Sequence, residues 1–296
     1  MKRLFLLGGL ALTMLLGACR ETKGGGEQPI ETFSSQKAPA QQTAKTVEQN
    51  TKTHQAAKEQ PAVSITALDL LKQRVGRGVS ETLLQRKAYT TSYNRQTRTP
   101  NWVAWTLTKD HTYGRLQREN ERFEEDIDVS TPRATYQDYY NSRYDRGHMC
   151  PAGDNKWDQT ALTESFLMTN ICPQNHGLNK EDWNDLEMQC RTWARRFGEV
   201  TIVCGPLFED AEGSEPRTIG RNKVRVPTGF FKVVYRPEPE PHAVGFIFRN
   251  NGSSQPWRSC VTTVDEVERR SGINFFLMLP DEVEQRVEAE QGLGNW

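Results

Sequence analysis

Tyr144-Asp145-Arg146-Gly147-His148-Met149 is the stretch on which the reading of this chain turns. It sets an aspartate, an arginine and a histidine close together, with a glycine between the last two. On a strand, Arg146 and His148 point to one face, because side chains alternate. Gly147 removes the side chain between them and lets backbone or substrate approach closely. A second polar cluster follows about one hairpin later: Thr169-Asn170, Pro173-Gln174-Asn175 and Asn179. Phe166 to Ile171 reads as the apolar strand between the two clusters. The strongest helical signal comes next, over about Lys180 to Phe197. There Trp183, Leu186, Cys190, Trp193 and Phe197 recur three and four apart as one apolar stripe. Asn179 falls at the start of this helix, a position that favours Asn, and Gly198 stands just past its end.

These groups suit hydrolysis of a phosphodiester, which depends on positioning and electrostatics around an activated water. His148, neutral near pH 7, takes the proton from water. Arg146 offers a planar donor fork to phosphate oxygens. Asn179 presents a hard neutral oxygen to Mg²⁺, which keeps much of its water shell. Glu187 lies two helical turns on, with Arg191 four residues further at pairing distance. Glu187 is placed to hold metal-bound water, and Arg191 to hold Glu187 or the phosphate. Taken singly, each has a plainer reading: a surface ion pair, a helix cap, a structural histidine. The combination carries the chemistry.

Working outward, residues 111 to 143 are polar and densely charged, a long surface connection carrying Arg115, Arg118, Arg122, Arg133 and Arg143. Before it, Asn101 to Thr108 reads as a strand rich in aromatic and β-branched residues, and Ile65 to Gln73 as a short helix. After the long helix, Val200 to Cys204 is a buried-type strand closed by Gly205-Pro206. Val224 to Tyr235 and Val244 to Phe248 are two more strands, split by the proline-rich turn Pro237 to Pro241. Val264 to Arg270 and Asp281 to Glu290 read as helices. Strands and helices mix without βαβ alternation, so the expected class is α+β with a mainly antiparallel sheet.

The N-terminus differs in kind. Lys2 and Arg3 precede the apolar run Leu4 to Leu16, which has signal-peptide length and is too short to span a bilayer stably. Leu16-Gly17-Ala18-Cys19 resembles the lipobox of bacterial lipoproteins, which implies lipidation of Cys19; the alternative is an ordinary cleaved signal. Residues 20 to about 62 are too polar to form a core and read as a flexible tether. The expected organisation is a leader over 1–18, a tether over 19–62 and a catalytic domain over 63–296, in a chain exported to a bacterial membrane, periplasmic or surface-facing. Lysine plus arginine equals aspartate plus glutamate at 38 each, so overall charge leaves a polyanionic partner open if basic groups cluster locally. The absence of any C-x-x-C pair or close histidine pair argues against structural zinc. Apart from Cys19 there are five cysteines, Cys150, Cys172, Cys190, Cys204 and Cys260, so at least one is unpaired within the chain.

Asp145-Arg146-Gly147-His148, with Met168 to Gln174 and Leu178 to Glu187, closely resembles the DNA/RNA non-specific endonucleases. The resemblance extends through Asn101 to Trp105, Gly205 to Phe208, Val226 to Lys232 and Leu279 to Glu282, in order over roughly residues 80 to 285. It implies a ββα-metal (His-Me finger) core in an α+β domain with a central, mainly antiparallel sheet flanked by helices. It implies DNA and RNA as substrates and Mg²⁺ as cofactor, with Mn²⁺ as a substitute. It makes His148 the general base and Asn179 the one direct protein ligand of the metal. Asn170 would shape the site, Glu187 would bind metal water, and Arg146 and Arg191 would contact substrate or the transition state. For a further family arginine upstream, Arg118 matches best and Arg122 is the rival. Cys150 and Cys172 flank these segments and either form a disulfide or remain buried thiols. Asp145 would orient the backbone of the motif or an arginine. The alternative to a nuclease is a nucleic-acid-binding surface lipoprotein that does not cut, which would have no need of His148, Asn179 and Glu187 together.

Overall fold

The computed structural model describes residues 66–296. The expected leader, the lipidated Cys19, the tether and the boundary at 63 lie outside the described residues. In chain order the elements are α1 (Ala67–Leu70), β1 (Arg74–Val75), β2 (Thr82–Gln85), β3 (Thr90–Asn94), β4 (Thr99–Thr108), β5 (Asp145–His148), α2 (Gln159–Ser165), β6 (Ile171–Gln174), α3 (His176–Lys180), α4 (Asp182–Phe197), β7 (Glu199–Leu207), β8 (Thr218–Ile219), β9 (Val224–Arg225), β10 (Gly229–Arg236), β11 (His242–Arg249), β12 (Val261–Thr262), α5 (Val264–Ser271), β13 (Ile273–Asn274) and α6 (Asp281–Glu288). Seven strands form one antiparallel sheet in the order β12-β11-β10-β7-β4-β3-β2. The class is α+β, as expected.

Alternation along the central strands builds two cores. Val103, Trp105 and Leu107 of β4 face α4, joined by Ile202 and Cys204 of β7 and by Phe230 and Val234 of β10. Trp102 and Ala104, with Val203, Phe231, Val233 and Tyr235, face the other way, onto Val264 and Val267 of α5 and Val287 of α6. Burying a side chain of this size stabilises by roughly 1.5–3 kcal/mol, so the sheet is a rigid platform with helices on both faces.

The long helix differs from its expected form. It breaks at Glu181 (φ −110°, ψ −93°), leaving the short α3 and the long α4. The reason lies in the apolar spacing. Leu178 is five residues before Trp183, which puts the two out of phase on one continuous helix. The break lets both enter the same core, each about 1% exposed. Asn179 is therefore inside α3 and caps nothing; Asn175 caps α3, accepting a bond from Gly177 N at 3.0 Å. Gly198 ends α4 with φ 92°.

Three strand expectations shift. Val224 to Tyr235 is not one strand: β9 (Val224–Arg225) pairs with β8, and β10 (Gly229–Arg236) begins after a break and lies in the seven-stranded sheet. Phe166 to Asn170 is not a strand: its backbone is served by Glu124, which receives Met168 N at 2.9 Å and donates to Phe166 O at 3.2 Å. The strand is Ile171–Gln174 instead. Gly205-Pro206 does not close β7, which runs on to Leu207. Pairing to β4 stops at Cys204, so Pro206 is flanked there by β10 alone. A Cβ at Gly205 would stand 2.4 Å from Asn101 O, so glycine is what admits the close approach.

Candidate active site

β5 and β6 form a two-stranded antiparallel ribbon, with Arg146 opposite Pro173 and His148 opposite Ile171. Met149 N donates to Asn170 O at 2.9 Å, so the pair 149–170 is hydrogen-bonded. By alternation Arg146–Pro173 is a non-hydrogen-bonded pair, and Pro173 forfeits no ladder bond. Gly147 has a different neighbour from the one expected. A Cβ there would stand 2.2 Å from Gln174 Oε1 and 2.6 Å from Gln174 Cβ, so its missing side chain makes room for Gln174, not for substrate.

A cleft of about 440 Å³ opens between this ribbon, α3 and α4, walled by Arg118, Arg146, His148, Asn179, Glu187 and Arg191 among others. His148 is half-buried, its ring edge-on to Phe166 at 4.8 Å and tilted against Phe123 at 5.3 Å. Its Nε2 is enclosed without a partner among the described residues, which leaves Nδ1 as the nitrogen open to the cleft. Burial, then the positive charges of Arg118 and Arg146, lower its pKa to about 3, so the ring is neutral at pH 7 and able to accept a proton. Arg146 rests over Phe123 at 4.9 Å and Arg118 over Phe166 at 5.9 Å. The aromatic pair that encloses the histidine thus also carries both arginines. Arg122 is not on the cleft wall, so the geometry favours Arg118 over its rival.

Asp145 is a member of the site after all. Its Oδ2 accepts from Asn179 Nδ2 at 2.9 Å and lies 2.9 Å from His176 Nδ1. That bond occupies the amide nitrogen and leaves Asn179 Oδ1 for another partner. Glu187, on α4, has neither a hydrogen bond nor an ion pair among the described residues. Burial pushes its carboxyl up to about 7, against the pull of Lys232 and Arg191. A neutral amide oxygen and a carboxyl group with no hydrogen-bond partner on one cleft are hard oxygen donors, which suits Mg²⁺ with water completing its shell.

Arg191 departs from the i+4 pairing with Glu187. Its Nη1 donates to Asp154 Oδ1 at 2.7 Å, and the other oxygen of Asp154 accepts from Trp105 Nε1 at 3.1 Å. Asp154 is 3% exposed and requires a counter-charge. Gly153 admits the guanidinium, since a Cβ there would stand 2.9 Å from Nη1. Asn170 is fully buried and off the cleft: Oδ1 accepts from Cys150 N at 2.9 Å, and Nδ2 donates to Cys150 O at 2.8 Å and Ser165 O at 2.7 Å. It braces the backbone two residues after His148. All five cysteines beyond Cys19 are free thiols, so Cys150 and Cys172 are buried thiols and not a disulfide.

Sequence reasoning missed Asp154 and Lys232. Lys232 Nζ is wholly buried without a hydrogen bond, 4.2 Å from the Trp183 ring centre and 5.4 Å from that of Trp105, with Glu187 and Asp154 as its acidic neighbours. One signal was available: Lys232 interrupts the inward series Phe230, Lys232, Val234 on a buried strand. Asp154 had none, because its partners come from β4 and α4.

The family pattern described as DNA/RNA non-specific endonuclease matches residues 66–282. Nuclease C1 of Cunninghamella echinulata var. echinulata is 36% identical over 212 residues, 67% of this chain and 84% of that protein. The mitochondrial nuclease EXOG of Danio rerio is 36% identical over 219 residues, 68% of this chain and 64% of its own length. A solved complex of EndoG with EndoGI superposes at TM-score 0.64 with 29% identity, covering 68% of this chain and 87% of that one. These relatives correct the expected localisation. EXOG, the Schizosaccharomyces pombe nuclease 1, the Saccharomyces cerevisiae nuclease and human endonuclease G are all named as mitochondrial, which overturns the bacterial membrane-lipoprotein reading. Among the described residues no helix is long and apolar enough to cross a membrane. With the ββα geometry, the cleft and the match over most of its length, this chain belongs to the DNA/RNA non-specific endonuclease family, a family of nucleases within the hydrolases.

Proposed function

We propose that the chain is a Mg²⁺-dependent endonuclease that hydrolyses DNA and RNA with little sequence preference, through a catalytic domain beginning near residue 63. One observation carries this reading: a neutral histidine, a free amide oxygen and a carboxyl group with no hydrogen-bond partner meet on one arginine-lined cleft. His148 takes the proton of the attacking water at the ring nitrogen that faces the cleft. Arg146 and Arg118 bind phosphate oxygens and are held in place by Phe123 and Phe166. Asn179 Oδ1 would hold Mg²⁺ directly and Glu187 would hold it through water. When bound there, the cation polarises the phosphate and supplies water to the leaving oxygen, and Mn²⁺ has the charge and ligand preference to substitute. Arg191, anchored by Asp154, presents the rest of its guanidinium to the charge that develops. Asn170 keeps the Cys150 backbone in place and so fixes the strand that carries His148. These contacts address phosphate and not base edges, which supports low sequence preference.

The test is cleavage of plasmid DNA and of RNA, with and without EDTA, by the wild type and His148→Ala. The wild type should cut both substrates and stop with EDTA, and the variant should be folded and inactive. A fully active His148→Ala protein would overturn the mechanism.

A further inference from the structure

α5 and α6 meet on the face of the sheet opposite the cleft, and they meet with one sign of charge. Asp265 and Glu268 are three apart on α5; Glu284 and Glu288 are four apart on α6. Each spacing puts its pair on one helix face. A carboxylate oxygen from each of Asp265, Glu268 and Glu288 lies within 4.8 Å of the others. None of the four acids is ion-paired among the described residues, whereas their neighbours are: Glu266 with Arg269, and Glu290 with Arg286 and His242.

Glu288 makes the arrangement costly. It is 6% exposed, and its Oε1 is enclosed with no hydrogen-bond partner. It is also the last residue of α6, where the helix dipole is negative and disfavours a second negative charge. With no cation present, burial and then Glu268, Glu284 and Asp265 push its carboxyl up to about 8. Glu268 uses Oε1 to accept from Phe275 N at 2.7 Å and keeps its other oxygen free.

We propose that Asp265, Glu268 and Glu288 form a second divalent-cation site, of Ca²⁺ type, that clamps α5 to α6 independently of the catalytic metal. Ca²⁺ fits better than Mg²⁺ because it takes carboxylate oxygens in a flexible shell, which three acids from two helices can supply, whereas Mg²⁺ demands a near-ideal octahedron and keeps most of its water. An all-carboxylate set is unsuited to zinc, whose structural sites are built from Cys and His. Water would complete the shell on the side of Asp265, which is exposed.

The test uses the full chain, stripped with EDTA and returned to saturating Mg²⁺, so that the cleft is occupied throughout. Melting temperature is then followed as CaCl₂ is added. The wild type should gain roughly 5–10 °C at a hundredfold excess over Kd. Asp265→Asn and Glu288→Gln should lose that gain, Asn179→Ala should keep it, and Asp265→Asn should cut DNA in Mg²⁺ at the wild-type rate. If Glu288→Gln fails to fold, Asp265→Asn decides alone, because its side chain is exposed. No Ca²⁺ shift in the wild type, the full shift in Asp265→Asn, or loss of the shift in Asn179→Ala would overturn the site.

Discussion

Gly147→Ala should damage catalysis without touching any group that does chemistry. The added methyl would stand 2.2 Å from Gln174 Oε1, 2.9 Å from Cδ and 2.6 Å from Cβ. Rotation of the Gln174 side chain relieves the first two contacts but not the third, because Cβ moves only with the backbone. Ordinary contact begins near 3.4 Å, so β5 and β6 must part by about 0.8 Å. His148 is the next residue, and its place over the cleft depends on that ribbon. A misplacement on the order of 1 Å costs about 100-fold in rate, and overpacking of this kind costs about 1–3 kcal/mol. At roughly 2–4 °C per kcal/mol for a domain of this size, the melting temperature should fall measurably. The assay is the initial rate of plasmid relaxation at saturating Mg²⁺, paired with a thermal melt. Gln174→Gly removes the obstructing Cβ, so the double variant should recover most of the rate. Wild-type rate and stability in Gly147→Ala, or no recovery in the double variant, would refute the packing account of this glycine.

Asp154→Ala should destabilise by about 3–5 kcal/mol in a urea titration, because it strands the half-buried Arg191; Asp154→Asn, which still accepts from Trp105, should lose less. Asp145→Ala frees the Asn179 amide to rotate, so half-saturating Mg²⁺ should rise about 10–100-fold while the rate at saturation stays near wild type; an unchanged Mg²⁺ titration would count against the orienting bond. Acidification should weaken Mg²⁺ binding through Glu187, whose folded pKa is raised from 4.5 to about 7. The carboxylate is available above pH 7 and is lost as pH falls below it, so half-saturating Mg²⁺ should climb by up to about tenfold per pH unit there. For cation-free protein the sign reverses: burying this group is costly above pH 7 and the cost fades toward 4.5, so a melt in EDTA should show stabilisation on mild acidification that Glu187→Gln lacks.

Local pattern alone was enough for much of this protein. The aromatic and β-branched run over Asn101 to Thr108 and the apolar stripe from Trp183 to Trp193 are short-range patterns, so they announce a strand and a helix before any partner is known. The Asp145 to His148 motif, with Met168 to Gln174 and Leu178 to Glu187, likewise declared the family by resemblance, and it marked His148 and Asn179 as the candidate base and metal donor. Tertiary structure decided everything that depends on a partner distant in sequence. It turned Asp145 toward Asn179, gave Arg191 to Asp154 instead of Glu187, and favoured Arg118 over Arg122 by stacking it on Phe166. It also placed Lys232 under the site from a strand whose pattern promised an apolar residue. The break at Glu181 belongs with these, since only a shared core requires Leu178 and Trp183 to point the same way. A lone residue's charge or amide is indifferent to sequence distance; what it does is set by whichever group the fold brings within about 3 Å.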